Sequence, residues 1–262
     1  MRLETHLRDR RDARRRLLVP YVTGGLDDSW LDVVRAVADA GADGIEIGIP
    51  FSDPVMDGPT IQEASRRALE LGATPAKIVA DAAQLDVDVP LAVMTYVNPV
   101  QHAGEERFAA MLADAGIAGA IVPDLPVDEM GPWAEAADRA GVETVLLAAP
   151  NTPNERLRDI CARSRGFVYA VSLMGVTGER TELADRAAGV ATRIKSVTDT
   201  PVLLGVGIST PEQAVEACRH ADGVVVGSAL VRRLLSGGGP DAAHVLVREL
   251  RAALDRTRSG EG

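Results

Sequence analysis

The sequence predicts a (β/α)8 barrel, the TIM barrel fold, in a chain of 262 residues. Short apolar runs rich in β-branched residues alternate along the chain with longer segments of helical periodicity. Eight such runs occur, at 17–23, 44–49, 91–96, 119–125, 144–149, 167–173, 202–208 and 223–230. Because these runs are apolar at nearly every position, we predict strands that are buried on both faces, as the strands of a parallel sheet are.

The segments between the runs have the pattern of amphipathic helices. In the first of them, Ser29 can cap the start of a helix and Gly41 can end it. Leu31, Val34 and Val37 then share one apolar face. Strand, helix and strand in this order imply crossovers within a parallel sheet. Eight repeats favour a closed barrel over an open doubly wound sheet.

No shift in composition divides the chain, so we predict a single domain over residues 1–262. The glycine-rich stretch at 236–240 is predicted to be a loop before the last helix rather than a domain linker. Residues 1–16 are rich in arginine, and acidic residues interrupt them. We predict an extra N-terminal helix there, lying in solvent, rather than a targeting peptide or a nucleic-acid-binding arm.

Composition and charge exclude several classes of protein. A net charge of −10 and an aromatic content of 3% do not suit nucleic-acid binding, which needs a cationic surface and stacking rings. No apolar run approaches the ~20 residues of a membrane span, so we predict no membrane contact and a cytoplasmic location. Cys161 and Cys218 fall in predicted helices without a CxxC motif and are predicted to be structural thiols. The four histidines are scattered, so no metal site is predicted.

A glutamate lies inside the second predicted strand. Glu46 stands between Ile45 and Ile47, and the alternation of side chains along a strand turns it toward the barrel interior. A buried carboxylate is either paired in a structural role or tuned to act as an acid or base, and the second role is favoured here. The proline-rich loop that follows adds Asp53 and Asp57, although Asp-Pro and Asp-Gly-Pro are also ordinary turn sequences.

Two glycine-rich turns lie where TIM barrels often bind phosphate, after the seventh and eighth strands. The seventh run contains Gly205 and Gly207, and the eighth continues into Gly227 and Ser228. Glycines let backbone N–H groups approach an anion, so these turns predict a phosphate site, although tight turns alone would also explain them. The loop at 174–180, after the sixth run, suits either a mobile lid or a long surface loop.

Three further polar residues lie in or just after predicted strands: Asn98, Asp124 and Tyr169. Each suits a packing or capping role as well as a functional one, and the sequence pattern leaves that choice open. No lysine lies in a strand position that suggests a Schiff base, so an aldolase of the enamine type is not predicted.

The segment from Glu46 to Pro54, followed by Asp57-Gly58-Pro59, closely resembles the signature of tryptophan synthase alpha chains. The resemblance extends over nearly the whole chain. It includes residues 20–23, 122–126 and 175–178, together with the two glycine-rich turns. Membership of this family implies the TIM barrel that the pattern of runs also predicts.

The resemblance implies roles for individual residues. Glu46 would serve as the acid and base, and Asp57 would contact the indole N–H group. Tyr21 would lie beside the indole ring, and Tyr169 would lie near the substrate. Thr177, in the lid, would hydrogen-bond to Asp57. The residues implied in phosphate binding are Gly178, Gly207, Gly227 and Ser228.

The implied reaction is the cleavage of indole-3-glycerol phosphate into indole and glyceraldehyde 3-phosphate, a retro-aldol step that depends on proton transfer. The family has no cofactor in this chain. Its pyridoxal phosphate belongs to a β subunit, which receives the indole in an αββα complex. Alternatives are a free-standing lyase of specialised metabolism, a non-catalytic subunit that only activates its partner, and another phosphate-binding barrel such as a sugar-phosphate isomerase. The presence of both Glu46 and Asp57 argues against the second, and the long signature against the third.

Overall fold

The structure, a computed structural model, describes residues 1–171, 180–205 and 207–258, and at 180–187 and 258 it describes the backbone alone. Eight parallel strands form a closed barrel in chain order. The strands are β1 (Leu17–Thr23), β2 (Ile45–Gly48), β3 (Leu91–Met94), β4 (Gly119–Ile121), β5 (Glu143–Ala148), β6 (Val168–Ala170), β7 (Val202–Leu204) and β8 (Gly223–Val226). The predicted TIM barrel is confirmed, and every strand overlaps its predicted run.

Helices surround the barrel. In the described residues they are α1 (Leu3–Asp12), α2 (Trp30–Asp39), α3 (Pro59–Glu70), α4 (Pro75–Ala82), α5 (Val97–Ala103), α6 (Glu105–Asp114), α7 (Gly131–Ala140), α8 (Asn154–Arg163), α9 (Arg180–Lys195), α10 (Pro211–Ala217), α11 (Ser228–Leu235) and α12 (Gly239–Arg258). None of these helices is long and apolar enough to cross a membrane. The extra N-terminal helix of the prediction is α1.

Most strands end earlier than their predicted runs. β7 ends at Leu204, whereas its run extended to residue 208, and β8 ends at Val226, two residues before α11 begins at Ser228. The last residues of these runs belong to the loops at the barrel rim. Gly207, for example, has a φ of 51°, which a strand does not adopt. Residues past a strand end can still be buried, as Ile208 is at 7% exposed, and apolar composition therefore does not mark the strand end.

Helix α2 corrects the predicted cap. Ser29 stands at the N-cap, but its side chain does not cap the helix, because its hydroxyl donates to Asp27 Oδ1 at 2.7 Å. Its ψ of 1° is also far from the extended backbone that usually accompanies a side-chain cap. The predicted apolar face is present: Val34 and Val37 are buried, and Leu31 packs at the edge of the core.

The core has two layers, as the alternation of side chains along each strand requires. On β1, Leu17 and Val19 belong to a cluster inside the barrel, and Leu18 and Val22 belong to the cluster between the strands and the helices. The two layers are distinct because successive side chains point to opposite faces of the barrel wall.

The prediction of a helix lying in solvent is wrong for one face of α1. Leu3 and Leu7, one turn apart, are 2% and 0% exposed and belong to the cluster inside the barrel. Leu3 packs closely on Gly119 and Gly166, where an added Cβ would lie 2.8 and 2.7 Å from its Cδ2. The many arginines of this segment dominate its composition and conceal the apolar pair. Helix α1 therefore closes the N-terminal end of the barrel.

The same end of the barrel contains a buried ion-pair cluster around Asp43, which is 0% exposed. Its carboxylate accepts hydrogen bonds from the backbone N–H of Leu18 at 3.0 Å, from Arg15 Nε at 2.6 Å and from Arg251 Nη1 at 3.1 Å. Pairing of this kind offsets the cost of burying the charge. These contacts connect β1 to α12 and serve stability, at the end opposite the carboxyl ends of the strands.

Candidate active site

A cavity of about 430 Å³ opens at the carboxyl ends of the barrel strands. Its volume lies within the usual range for small-molecule sites. It is lined by seven of the predicted site residues: Tyr21, Glu46, Asp57, Tyr169, Gly207, Gly227 and Ser228. The other two, Thr177 and Gly178, lie outside the described residues, as does most of the predicted lid at 174–180. The structure thus brings together every predicted site residue that it describes.

Glu46 lies in the wall of this cavity, on β2. Its neighbours across the barrel wall are Tyr21 on β1 and Ala92 on β3, and it is 1% exposed. Neither carboxyl oxygen has a hydrogen-bond partner among the described residues. Burial raises the pKa of Glu46 to about 8, and the charge of Asp57 adds to the shift. Glu46 is therefore protonated at neutral pH and can donate a proton.

Asp57 comes from the loop between β2 and α3. Its Oδ2 accepts a hydrogen bond from the Tyr96 hydroxyl at 3.0 Å. Burial raises the pKa of Asp57 to about 6, and the bond from Tyr96 opposes that shift because it favours the charged carboxylate. Asp57 is therefore mostly ionised at neutral pH. Its anion faces the same cavity as the protonated Glu46.

Tyr96 is a residue of the site that the sequence analysis did not select. Its hydroxyl accepts a hydrogen bond from the backbone N–H of Met56 at 3.0 Å while it donates to Asp57. Its ring stacks on Phe51, with centroids 5.1 Å apart and an angle of 27° between the planes. Tyr96 thus fixes the loop that carries Asp57. The sequence did contain one indication: Tyr96 is the last residue of the third apolar run, and the carboxyl ends of the strands carry the active site.

The polar residues left open by the sequence pattern have different roles. Asp124 accepts a hydrogen bond from the backbone N–H of Val97 at 2.9 Å, so it caps the start of α5. Asn98 lies on α5, is exposed and does not line the cavity. Tyr169 alone of the three lines the cavity.

Two tyrosine rings lie over glycines at the bottom of the cavity. An added Cβ at Gly48 would lie 1.8 Å from Tyr21 Oη, and one at Gly205 would lie 2.1 Å from Tyr169 Cε2. No side chain fits at either glycine while the rings keep their places. Burial raises the pKa of both tyrosine hydroxyls, so both stay neutral. The two rings are therefore rigid, uncharged walls beside Glu46.

The predicted phosphate turns form one corner of the cavity. Gly227 is the N-cap residue of α11, and no side chain caps this helix start in the described structure. The first N–H groups of a helix have no partner within the helix, and the helix dipole is positive at this end. Gly207 lies at the mouth of the same cavity and is exposed. This corner therefore offers backbone donors to an anion.

The site combines a proton donor with an anion. Two carboxylates whose pKa values are separated by their surroundings can take different roles in one reaction. Within the described ranges, no group of three or more His, Cys, Asp or Glu side chains is placed to hold a metal ion. Glu46 is suited to donate a proton to a substrate, and the Asp57 anion is suited to stabilise positive charge that develops on it. The corner formed by Gly207 and Gly227 is suited to bind a phosphate group of the same substrate.

Comparisons with known proteins find relatives of this chain over most of its length. The sequence model of the family described as tryptophan synthase alpha chain matches residues 7–255. The chain is 45% identical to the tryptophan synthase alpha chain of Streptomyces coelicolor over 244 residues, which cover 92% of this chain and 88% of that one. It is 44% identical to that of Methanosarcina mazei over 248 residues, covering 93% and 91%.

Solved structures are similar in the same way. Mycobacterium tuberculosis tryptophan synthase in space group F222 matches with a TM-score of 0.88 and 39% identity, covering 97% of this chain and 98% of that one. The tryptophan synthase alpha subunit of Legionella pneumophila matches with a TM-score of 0.86 and 30% identity, covering 97% and 98%.

Two carboxylates with separated pKa values at the carboxyl rim of a TIM barrel are the features expected of an acid–base enzyme of the barrel class. The extent of the sequence match makes the assignment more specific. The chain belongs to the tryptophan synthase alpha chain family, whose lyase reaction cleaves indole-3-glycerol phosphate.

Proposed function

We propose that this chain, acting as the single domain predicted over residues 1–262, cleaves indole-3-glycerol phosphate into indole and glyceraldehyde 3-phosphate in tryptophan biosynthesis. The observation that carries the proposal is the pair of carboxylates in one cavity, with a pKa of about 8 for Glu46 and about 6 for Asp57. At neutral pH one of them is an acid and the other an anion. A retro-aldol cleavage at an aromatic carbon needs both.

The proposed steps balance without a co-reactant. Glu46 donates its proton to C3 of the indole, and positive charge develops at the ring nitrogen. The bond from C3 to the side chain then breaks, and its electron pair restores the neutral aromatic ring. The hydroxyl group on the departing carbon becomes the aldehyde, and its proton passes to the Glu46 carboxylate. The Asp57 anion stabilises the charged ring N–H between the two steps.

The remaining residues bind and orient the substrate in this proposal. Tyr21 and Tyr169 flank the indole ring, since both line the cavity beside Glu46. Thr177 contacts Asp57 when the lid closes. The phosphate is held by backbone N–H groups at Gly178, Gly207, Gly227 and Ser228. These steps use no cofactor of this chain, and we assign pyridoxal phosphate to the β partner alone.

The pH dependence of kcat/KM for indole-3-glycerol phosphate tests the assignment of acid and anion. We expect a bell-shaped profile, rising with a pKa of about 6 and falling with a pKa of about 8. The rise reflects ionisation of Asp57, and the fall reflects loss of the Glu46 proton. Tyr96→Phe removes the hydrogen bond that lowers the pKa of Asp57, so the pKa of Asp57 should rise. The acid limb of the variant's profile should therefore move to higher pH, and the alkaline limb should stay unchanged. A profile without the alkaline limb would contradict Glu46 as the acid.

Substitution of Gly227 tests the phosphate corner. Gly227 has a negative φ, and an added Cβ there would lie 3.6 Å from its nearest neighbour, Tyr21, so the backbone and the space around it accept a Cβ. Asp and Asn both suit an N-cap, and the two variants should therefore fold. Gly227→Asp places an anion at the helix start and should raise KM at least tenfold more than Gly227→Asn does. Equal KM values in steady-state assays of the two variants would place the phosphate elsewhere.

The partner we propose is a tryptophan synthase β chain, in an αββα complex, bound at the rim around the loop that carries Asp57. Val55 and Met56 on this loop are 77% and 39% exposed. Exposed apolar side chains next to an active-site mouth favour a protein contact. An open surface depression, separate from the active-site cavity, lies beside these two side chains and is lined by residues such as Phe51 and Leu69.

We expect Val55→Asp to weaken binding of a purified β chain at least tenfold, because a charge would be buried in the contact. Val197→Asp is the matched control, since Val197 is 42% exposed and adjoins the loop of Asp199, which contacts α1 at the opposite end of the barrel. Calorimetric titration measures both affinities. If the two variants bind alike, the rim is not the contact.

The comparisons do not support the alternative of a free-standing lyase. For such an enzyme, adding a β chain would leave the rate of indole release unchanged.

The cytoplasm stays the predicted location of this reaction. Cys161 and Cys218 are both buried free thiols. Unpaired thiols are usual in proteins of a reducing compartment.

A further inference from the structure

A second cavity, of about 160 Å³, lies outside the barrel wall. We call it the outer cavity. It is enclosed by β4 and β5 on one side and by α7 and α8 on the other, and its walls include Val122, Met130, Trp133 and Leu146. All four side chains are buried and apolar or aromatic. The Trp133 ring is held by Phe108, whose ring centroid lies 5.9 Å away. The outer cavity therefore has buried apolar and aromatic walls on both its strand side and its helix side.

Three polar side chains also line the outer cavity, Thr144, Thr152 and Arg156, and of these Thr144 is the buried one. Thr144, on β5, lines the outer cavity and is 1% exposed. Its hydroxyl has no hydrogen-bond partner among the described residues. A buried hydroxyl without a partner costs free energy, and the cost is removed when a ligand supplies the missing bond. The hydroxyl can either accept a hydrogen bond from an N–H group or donate one.

The mouth of the outer cavity carries no unpaired charge in the described structure. Arg156 lies there, and its guanidinium pairs with the carboxylate of Asp128. An anionic ligand would have to displace Asp128, whereas an uncharged ligand can enter past the pair. The volume also limits the occupant: a closed cavity of roughly 150 Å³ binds benzene, so the outer cavity, which is open at its mouth, accepts one ring or two fused rings and nothing larger.

We propose that the outer cavity is a second binding site, for an uncharged aromatic molecule of about the size of indole with one N–H or O–H group. The ring lies against Trp133 and Leu146, and the polar group bonds to the Thr144 hydroxyl. Indole itself belongs to this class. Pro123 and Leu147 line both cavities, so the two sites share a wall but have separate linings for their ligands.

Crystals soaked with 5-bromoindole test the location, because the anomalous signal of bromine identifies each bound molecule. We expect one bromine peak in the active-site cavity and one against Trp133. Calorimetric titration of the whole chain with indole should show two binding events in solution. A bromine peak in the active-site cavity alone would overturn the proposal, and so would a peak in the outer cavity without a second binding event in solution.

Thr144→Val tests the polar contact, since it removes the hydroxyl at nearly constant volume. The affinity of the outer cavity should fall roughly fivefold to tenfold, while binding in the active-site cavity and turnover stay unchanged. The variant should also be at least as stable as the unmodified chain, because it loses a buried unpaired hydroxyl. Thr95→Val is the matched control: Thr95 is likewise 1% exposed with an unpaired hydroxyl, but it does not line the outer cavity. Equal losses in both variants, or no loss in Thr144→Val, would refute the assignment.

Discussion

Glu46→Gln should lower the rate of indole formation by roughly 10²–10⁴-fold and leave the barrel folded. The amide has nearly the same volume as the carboxyl group but delivers no proton to the indole ring. Because Glu46 has no hydrogen-bond partner among the described residues, the substitution breaks no structural contact there. Steady-state assays of indole release measure the loss. Retention of more than about a tenth of the rate would be incompatible with a general acid at this position.

The stability of the same variant provides an independent readout. Burial raises the pKa of Glu46 from 4.5 to about 8. Its contribution to stability is therefore complete below a pH of about 4.5 and is lost as the pH rises through about 8. Glutamine does not ionise, so the free energy of unfolding of Glu46→Gln should increase relative to the unmodified chain across this interval. Urea unfolding at pH values of about 5 and about 9 measures the difference.

Glu143→Gln is the matched control for both measurements. Glu143 is also buried on a barrel strand, and burial raises its pKa as well. It lies at the start of β5, where its carboxylate accepts a hydrogen bond from the backbone N–H of Glu4 at 2.7 Å. This variant should lose stability, because a structural contact weakens, and should keep its turnover. A fall in turnover equal to that of Glu46→Gln would mean that both effects come from the fold.

Gly48→Ala should lower turnover by about 10²-fold, because it displaces the ring of Tyr21. The added methyl group would overlap the ring from Oη at 1.8 Å to Cε2 at 2.7 Å, so the ring must move, and the space open to it is the active-site cavity that it lines. Displacement of a substrate-contacting group by about 1 Å is sufficient for a loss of this size. Steady-state kinetics should show the change mainly in kcat.

Two further variants separate this effect from a general loss of folding. Gly44→Ala alters the same stretch of chain, but its Cβ would lie 3.5 Å from its nearest neighbour, so turnover should stay within about twofold of the unmodified chain. Gly48→Ala combined with Tyr21→Leu relieves the overlap and should recover stability without recovering turnover. Normal turnover in Gly48→Ala alone would show that Tyr21 has no role in positioning the substrate.

The strands and Glu46 could be predicted because both depend on order along the chain. A buried strand is recognised from its own residues, and the period of two decides which of them face the interior. The active-site end follows from the direction of the strands. The positions of the phosphate turns follow from the same rule, and Gly207, Gly227 and Ser228 do line the cavity. Thr177 and Gly178 stay predictions.

The role of Tyr96 and the burial of α1 could not be predicted because they depend on how distant elements meet. Tyr96 contacts Asp57 from 39 positions along the chain, and nothing in either local pattern specifies that pair. Leu3 packs on Gly119 in β4 and on Gly166 just before β6, and both glycines are far from Leu3 along the chain. The cap predicted at Ser29 was wrong for a local reason instead, since the Asp27 carboxylate, two positions away, accepts the bond from the Ser29 hydroxyl.

Helix α1, which closes the N-terminal end of the barrel, has a consequence for folding during translation. A ribosome delivers α1 before the barrel strands, but the partners of α1 include Glu143 and Asp199, so the chain as far as Asp199 must emerge before the helix can dock. At ~5–20 residues per second this wait lasts on the order of 10–40 s. Throughout it Leu3 and Leu7 remain in water, within a segment that its arginines keep hydrated. The charged residues that surround the two leucines in the sequence therefore also keep the undocked helix soluble.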